Sequence, residues 1–163
     1  MGTKGREIVA MDLEELIKTL NKAYADEWLA YYQYWIGAKV AVGMMRESIV
    51  QELEQHANEE LEHAEKLANR IIQLGGTPLI TPEDWLRESN CGYDAPANSD
   101  TGVLLDQNIK GEQCAIAIYK QLVDMVSGKD DLTHHLALEI LEDEVEHEED
   151  LEALREDMKV LKK

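Results

Sequence analysis

The chain carries the same arrangement of acidic and imidazole side chains in each of its halves. A lone glutamate is followed, after a similar interval, by a Glu-x-x-His motif. The first half has Glu27 and then Glu60-x-x-His63, and the second half has Glu112 and then Glu144-x-x-His147. Because a glutamate and a histidine three positions apart project from one face of a helix, the repeat favours four long helices, two from each half.

Each of the four glutamates lies in the middle of an apolar stripe with helical spacing. Counting by threes and fours from Glu27 reaches Leu16, Leu20, Tyr34 and Ala38, and the other three glutamates have stripes of the same kind. The helical spacing is stronger evidence than the Glu-x-x-His motif, because chance alone gives on the order of one such motif in so acidic a chain. The pattern therefore predicts four glutamates in the core of a helical bundle.

Four buried carboxylates need compensation, because each costs several kcal/mol when it is left alone in an apolar core. Two divalent cations bound by four carboxylates and two imidazoles supply it, which is the ligand set of a di-iron or di-manganese site. The alternative for any single glutamate is a solvated face or a satisfied polar group. We therefore predict that six residues bind two divalent ions, iron or manganese: Glu27, Glu60, His63, Glu112, Glu144 and His147.

Composition limits the class of protein. A chain of 163 residues is long enough for one domain, spanning 1–163, and its lack of Phe together with abundant Ala, Leu and Glu favours helix. No apolar run reaches the length of a membrane span, and the N-terminus lacks the apolar core of a signal peptide. Two cysteines are too few for a disulfide scaffold. We therefore expect a cytoplasmic protein with no membrane partner.

Turn residues divide the chain into helices at about 12–42, 46–74, 101–127 and 131–160. The long connection at 75–100 contains all three prolines and has room for a short helix after Thr81. Short connections join the first two helices and the last two. The sequence therefore predicts an all-α, ferritin-like four-helix bundle with one long crossover.

Several segments resemble bacterioferritin: residues 24–28, 59–65 and 142–147, and the Gly-Gly-Thr-Pro at 75–78. The resemblance implies that Glu60 and Glu144 bridge two metals. Glu27 with His63 would complete one position, and Glu112 with His147 the other. Tyr34 and Tyr119, each seven residues after a lone glutamate, could hydrogen-bond the ligands, supply an electron, or pack in the core.

Two departures from bacterioferritin indicate a different relative. Leu61 stands where that family has its haem-binding methionine, so no haem is expected. We also expect no counterpart of the fifth helix of the 24-subunit cages, which is similar to the twelve-subunit Dps family. A whole site within one subunit resembles the Dps-like thioferritins, named for a cysteine pair near the di-iron centre. Cys91 and Cys114 fit that pair, which implies a redox role, although both could be ordinary small hydrophobes and the sequence leaves a disulfide open.

These resemblances imply an iron-storage and detoxification protein. It would bind two iron ions per subunit, with manganese or zinc as substitutes, and its six metal ligands would be the catalytic residues. It would be a ferroxidase that oxidises Fe²⁺ with hydrogen peroxide or O₂, store ferric mineral in a homo-oligomer of twelve subunits, and protect against oxidative stress. The alternative is a non-storing di-metal peroxidase or catalase, similar to rubrerythrin or manganese catalase. A third class, a DNA-binding architectural protein, is disfavoured because a net charge of −18 opposes direct DNA binding.

Two further groups of residues allow more than one interpretation. His56 shares the stripe of Glu60, as an accessory ligand or as a polar group near the bundle end, and the second interpretation is preferred. Asp124, Asp130 and Asp131 surround the last turn between helices, where they could line a pore or cap a helix.

Overall fold

The structure is a computed structural model that describes residues 2–161. Within these residues the chain forms six helices: α1 (Thr3–Glu7), α2 (Leu13–Val40), α3 (Arg46–Gln73), α4 (Pro82–Glu88), α5 (Thr101–Val126) and α6 (Asp131–Leu161). The four long helices form the bundle, and α4 lies in the crossover between α3 and α5. The predicted all-α bundle with one long crossover and a short helix in it is confirmed, whereas the short α1 was not predicted.

Side-chain caps and glycines set where the long helices begin and end. The Asp12 carboxylate accepts the backbone N–H of Glu15 at 2.8 Å, and Asp100 accepts that of Gly102 at 2.9 Å, so α2 and α5 each begin at an N-cap. Gly43 and Gly128 have φ values of 121° and 69°, a conformation that favours glycine. Both lie in the short turns, which reverse the chain and bring α2 beside α3 and α5 beside α6.

The apolar core is divided into two clusters by a polar layer. One cluster includes Leu20 of α2 and Ile71 of α3, and the other includes Leu53 of α3 and Leu151 of α6. Each buried side chain of this size contributes roughly 1.5–3 kcal/mol to stability. The polar layer, midway along the bundle, therefore lies between two well-packed ends that fix the helix positions around it.

The crossover is fastened to the bundle beside this layer. The buried carboxylate of Asp26 accepts the backbone N–H groups of Asn90 and Cys91, each at 2.8 Å. Cys91 forms a disulfide with Cys114 of α5, across a Cα separation of 5.9 Å. The sequence had left this disulfide open. These bonds hold the crossover residues after α4 against both α2 and α5.

Asp130 is a structural residue and not part of a pore. It is 3% exposed, its carboxylate accepts two bonds from the guanidinium of Arg70 at 2.7 and 2.8 Å, and it accepts the backbone N–H of Thr133 at 3.3 Å. The pore interpretation is therefore wrong for Asp130, and the capping interpretation is confirmed. Asp124 and Asp131 are exposed and remain candidates. Among the described helices, none combines the length and the hydropathy needed to cross a membrane.

Candidate metal centre

The six side chains predicted as ligands meet in the polar layer of the bundle. All four long helices contribute to it: α2 gives Glu27, α3 gives Glu60 and His63, α5 gives Glu112, and α6 gives Glu144 and His147. Each of the six is at most 3% exposed. The apolar stripes that placed these residues in a core by sequence therefore place them together in space.

The six residues form two overlapping groups. In the first, Nδ1 of His63 lies 3.3 Å from Glu60 Oε2, 3.5 Å from Glu27 Oε2 and 3.5 Å from Glu144 Oε1. The ligand atoms of this group all lie within 4.8 Å of one another. One imidazole and three carboxylates thus surround a space of the size that one metal ion needs.

The second group is built in the same way around His147. Its Nδ1 lies 3.3 Å from Glu60 Oε1, 3.3 Å from Glu144 Oε2 and 3.8 Å from Glu112 Oε1. Glu60 and Glu144 belong to both groups, and each turns one oxygen toward His63 and the other toward His147. This is the geometry of two bridging carboxylates.

Most of the inward-facing atoms lack hydrogen-bond partners among residues 2–161. These unpaired atoms are both oxygens of Glu60 and of Glu144, Oε2 of Glu27, and Nδ1 of both histidines. Buried polar atoms are normally paired, because an unsatisfied one costs about 1–3 kcal/mol. Divalent cations bound by carboxylate and imidazole would satisfy all of them, so the residues present fit a pair of such ions.

The outer nitrogens of both histidines are held by carboxylates of the facing helix. Nε2 of His63 lies 2.9 Å from Asp143 Oδ2, and Nε2 of His147 lies 2.7 Å from Glu59 Oε2. Such contacts orient a metal-binding imidazole. Sequence reasoning missed both residues, although a signal exists: an acidic residue directly precedes the bridging glutamate in each motif.

Two buried tyrosines brace the lone glutamates. The hydroxyl of Tyr34 donates to Glu112, and the hydroxyl of Tyr119 donates to Glu27. Each bond joins one half of the chain to the other. Both rings are also 1% exposed within the apolar clusters, so hydrogen bonding and core packing occur together. An electron-donating role remains a prediction.

The buried charges shift one another's protonation. Burial, together with the charges of Glu144 and Glu60, raises the pKa of both Glu27 and Glu112 well above the usual range. Burial opposes the charging of His147, but the carboxylates of Glu144 and Glu60, each 3.3 Å from its Nδ1, outweigh burial and raise the pKa of His147 to about 12. Carboxylates also raise the pKa of His63 against the effect of burial. Without cations, protons therefore neutralise the cluster.

His56 lies beside the centre. The preferred interpretation of the sequence, a polar group near the end of the bundle, is therefore wrong. His56 is fully buried, its ring stacks on that of His147 at 4.0 Å, and its Nδ1 lies 3.4 Å from the Tyr34 hydroxyl. Burial and the neighbouring His147 lower the pKa of His56 to about 3, so its imidazole is neutral at pH 7.

A cavity connects the centre with the crossover. Glu27, Glu60, Glu112 and Glu144 line it together with Cys91. The predicted cysteine pair is therefore adjacent to the polar layer, in the segment that Asp26 fastens. A redox role for the pair remains a prediction.

Comparisons with known proteins agree with the fold. A family model described as the ferritin-like domain matches residues 17–161. The DNA protection during starvation protein of Pyrococcus furiosus is 34% identical over 144 residues, 87% of this chain and 77% of that protein. A bacterioferritin of Brucella melitensis is 29% identical over 139 residues, 85% of this chain and 81% of that protein.

Solved structures give the same relationship. The structure of a dodecameric thioferritin, the bacterioferritin-related protein from Bacteroides fragilis, has a TM-score of 0.97 and 42% identity, and the match covers 99% of this chain and 97% of that one. Dps from Thermosynechococcus elongatus shares the fold, with a TM-score of 0.82 at 18% identity over 86% of this chain and 90% of that one. This chain thus belongs to the ferritin-like domain family, as a homologue of Dps and of bacterioferritin.

Proposed function

We propose that this protein is an iron-storage and detoxification ferroxidase. It would oxidise Fe²⁺ with hydrogen peroxide or O₂ at its intra-subunit centre and store the ferric product as mineral in a homo-oligomeric cage. The observation that supports this most directly is the pair of buried carboxylates, Glu60 and Glu144, each of which offers one unpaired oxygen to each ligand group. Two carboxylates shared in this way would hold two cations close enough to react with one oxidant molecule.

The ligand roles follow from the two groups. Glu60 and Glu144 would be ligands to both Fe²⁺ ions. Glu27 and His63 would complete one position, and the matching pair on α5 and α6, Glu112 and His147, would complete the other. Two Fe²⁺ held this close give one electron each to the same peroxide molecule, which takes up two protons and leaves as two waters. No hydroxyl radical is released in such a two-electron step. Manganese or zinc can occupy the same ligands.

The surrounding residues position the ligands and handle protons. Asp143 and Glu59 hold the outer nitrogens of the histidines, so that the inner Nδ1 lone pairs face the ions once the rings are neutral. The tyrosine hydroxyls fix one oxygen of Glu112 and one of Glu27. In Glu27 this leaves the second oxygen, Oε2, facing His63, whereas in Glu112 the oxygen that accepts from Tyr34 is also the one that faces His147.

Assembly and surface charge suit iron storage. Similarity to the dodecameric thioferritin supports a twelve-subunit cage for this chain. The net charge of −18 attracts Fe²⁺ and opposes contact with phosphates, so any protection of DNA would come from removal of Fe²⁺ and peroxide. A cytoplasmic location and a role against oxidative stress fit this chemistry.

Light scattering during size exclusion, before and after anaerobic Fe²⁺ loading and peroxide addition, tests the proposal. We expect a species of about twelve subunits that takes up far more than two irons per chain and stays soluble. Glu60→Gln should lose rapid oxidation, whereas Glu65→Gln, at an exposed position on α3, should keep it. A dimer that holds only two ions per chain would favour the non-storing peroxidase or catalase. Absence of any uptake would refute the site itself.

A further inference from the structure

A second set of ligand atoms lies outside the six-residue centre, around the far nitrogen of His56. This Nε2 is buried and has no hydrogen-bond partner among the described residues. It points at two carboxylates, 3.2 Å from Glu52 Oε1 and 3.7 Å from Asp150 Oδ2. A fully buried imidazole nitrogen that faces carboxylates without bonding to them is a donor with an unused lone pair or proton.

The three side chains form a compact group from two helices. Their ligand atoms all lie within 4.8 Å of one another, with Glu52 and His56 on α3 and Asp150 on α6. The carboxylate side chains are 25% and 43% exposed, whereas the imidazole is completely buried. The imidazole is therefore held in the core while the carboxylates reach the solvent, so that water can complete the coordination of an ion.

We propose that Glu52, His56 and Asp150 bind a third divalent transition-metal ion in each chain. One imidazole and two carboxylates suit Fe²⁺, Co²⁺ or Zn²⁺ better than Ca²⁺ or Mg²⁺, which prefer oxygen ligands alone. None of the three residues is a ligand in the proposed ferroxidase centre. The inference thus goes beyond the proposed function and can be tested by itself.

The proposed site lies between an acidic surface groove and the six-residue centre, where it would bind cations before they reach the centre. Beside it, a groove between α3 and α6 is lined by Glu59, Glu62, Asp143 and Glu146, and it reaches Asp150. Carboxylates on both walls raise the local concentration of cations. On its inner side the site touches the centre, because the His56 ring stacks on His147 and its Nδ1 faces the Tyr34 hydroxyl.

The test uses the full-length protein and Zn²⁺, which is redox-inert. Crystals soaked in Zn²⁺ are measured at the zinc absorption edge, and equilibrium dialysis counts the bound ions. We expect an anomalous peak next to Nε2 of His56 that is separate from the peaks in the core. Glu52→Gln with Asp150→Asn should remove this peak and lower the count by one ion per chain. Glu65→Gln with Glu152→Gln takes the same charge from exposed positions on the same two helices and should leave both unchanged.

Two results would overturn the proposal: no peak at His56 in the unmodified protein, or a peak that persists unchanged in the Glu52 and Asp150 variant. His56→Gln gives a second test, with helical content and melting temperature measured to confirm that the bundle is folded. It should remove the outer peak. Failure of the ferroxidase centre would look different, since the core peaks would then be absent whatever happens at His56.

Discussion

Cation binding at the centre should release protons and strengthen steeply as the pH rises. In the ion-free protein His63 and His147 are protonated at neutral pH, because the carboxylates around them raise their pKa values, that of His147 to about 12. An ion at Nδ1 needs a neutral ring, so each of the two ions displaces at least one proton. The affinity for each ion should therefore rise at least about tenfold per pH unit, or about 1.4 kcal/mol.

Isothermal titration calorimetry with Zn²⁺ measures this directly. Titrations in two buffers with different ionisation enthalpies, at pH 6, 7 and 8, give the number of protons released with each ion. Glu27 and Glu112, whose pKa values burial and the neighbouring glutamates raise, should add to that number. Affinity that is independent of pH, with no proton release, would refute the protonation pattern proposed for this cluster.

The same linkage has the opposite sign for the stability of the ion-free protein. A folded-state pKa above the unfolded value of 6.5 means that the stabilisation from each histidine is complete below pH 6.5 and is lost as the pH rises toward the folded value. Between these two pKa values, the contribution of each histidine to the free energy of unfolding should fall by about 1.4 kcal/mol per pH unit. Thermal unfolding with a chelator and with Zn²⁺ should show a gap in Tm that widens from pH 6.5 to 9, and a constant gap would contradict this.

Three substitutions test other parts of the structure. Glu27→Gln, which imitates the protonated carboxyl, should keep the Tm of the ion-free protein and weaken Zn²⁺ binding in calorimetry. Asp130→Ala removes the carboxylate that neutralises the buried guanidinium of Arg70, and it should lower the free energy of unfolding in urea by about 3–5 kcal/mol. Asp131→Ala, at an exposed position, should change it by less than about 0.5 kcal/mol. Cys91→Ser removes the disulfide to Cys114 and should lower the free energy of unfolding by about 3 kcal/mol. If the unmodified protein is as stable after reduction as before it, that value is contradicted.

Local periodicity explains why so much of the fold and of the site could be predicted. The positions of Glu27 and Glu60 within apolar stripes depend only on helical geometry, which the sequence states directly. The capping aspartate at position 12 and the glycines at the turns are local signals too. Four helix midpoints then had to meet at one level of an antiparallel bundle.

The features that sequence reasoning left open depend on contacts between distant parts of the chain. Asp130 is buried because Arg70, which lies on α3, reaches it, and no local pattern pairs the two. The disulfide depends on the path of the crossover, which has no periodicity. The apolar stripe puts His56 one helical turn before Glu60, but it does not tell whether the imidazole lies in the polar layer or beyond it. In the structure the His56 ring stacks on a histidine of α6.

The two halves of the chain are related to each other like the halves of a duplicated unit, and the centre exists only where they meet. Each ligand group takes three residues from one half and its fourth from the other, and each tyrosine crosses between halves. The symmetry fails at one place: His56, four residues before Glu60, corresponds to Ile140, four residues before Glu144. Among the described residues, only the ligand group around His147 has a second imidazole behind it, so the two ion positions of the proposed centre differ and we expect them to have unequal affinities.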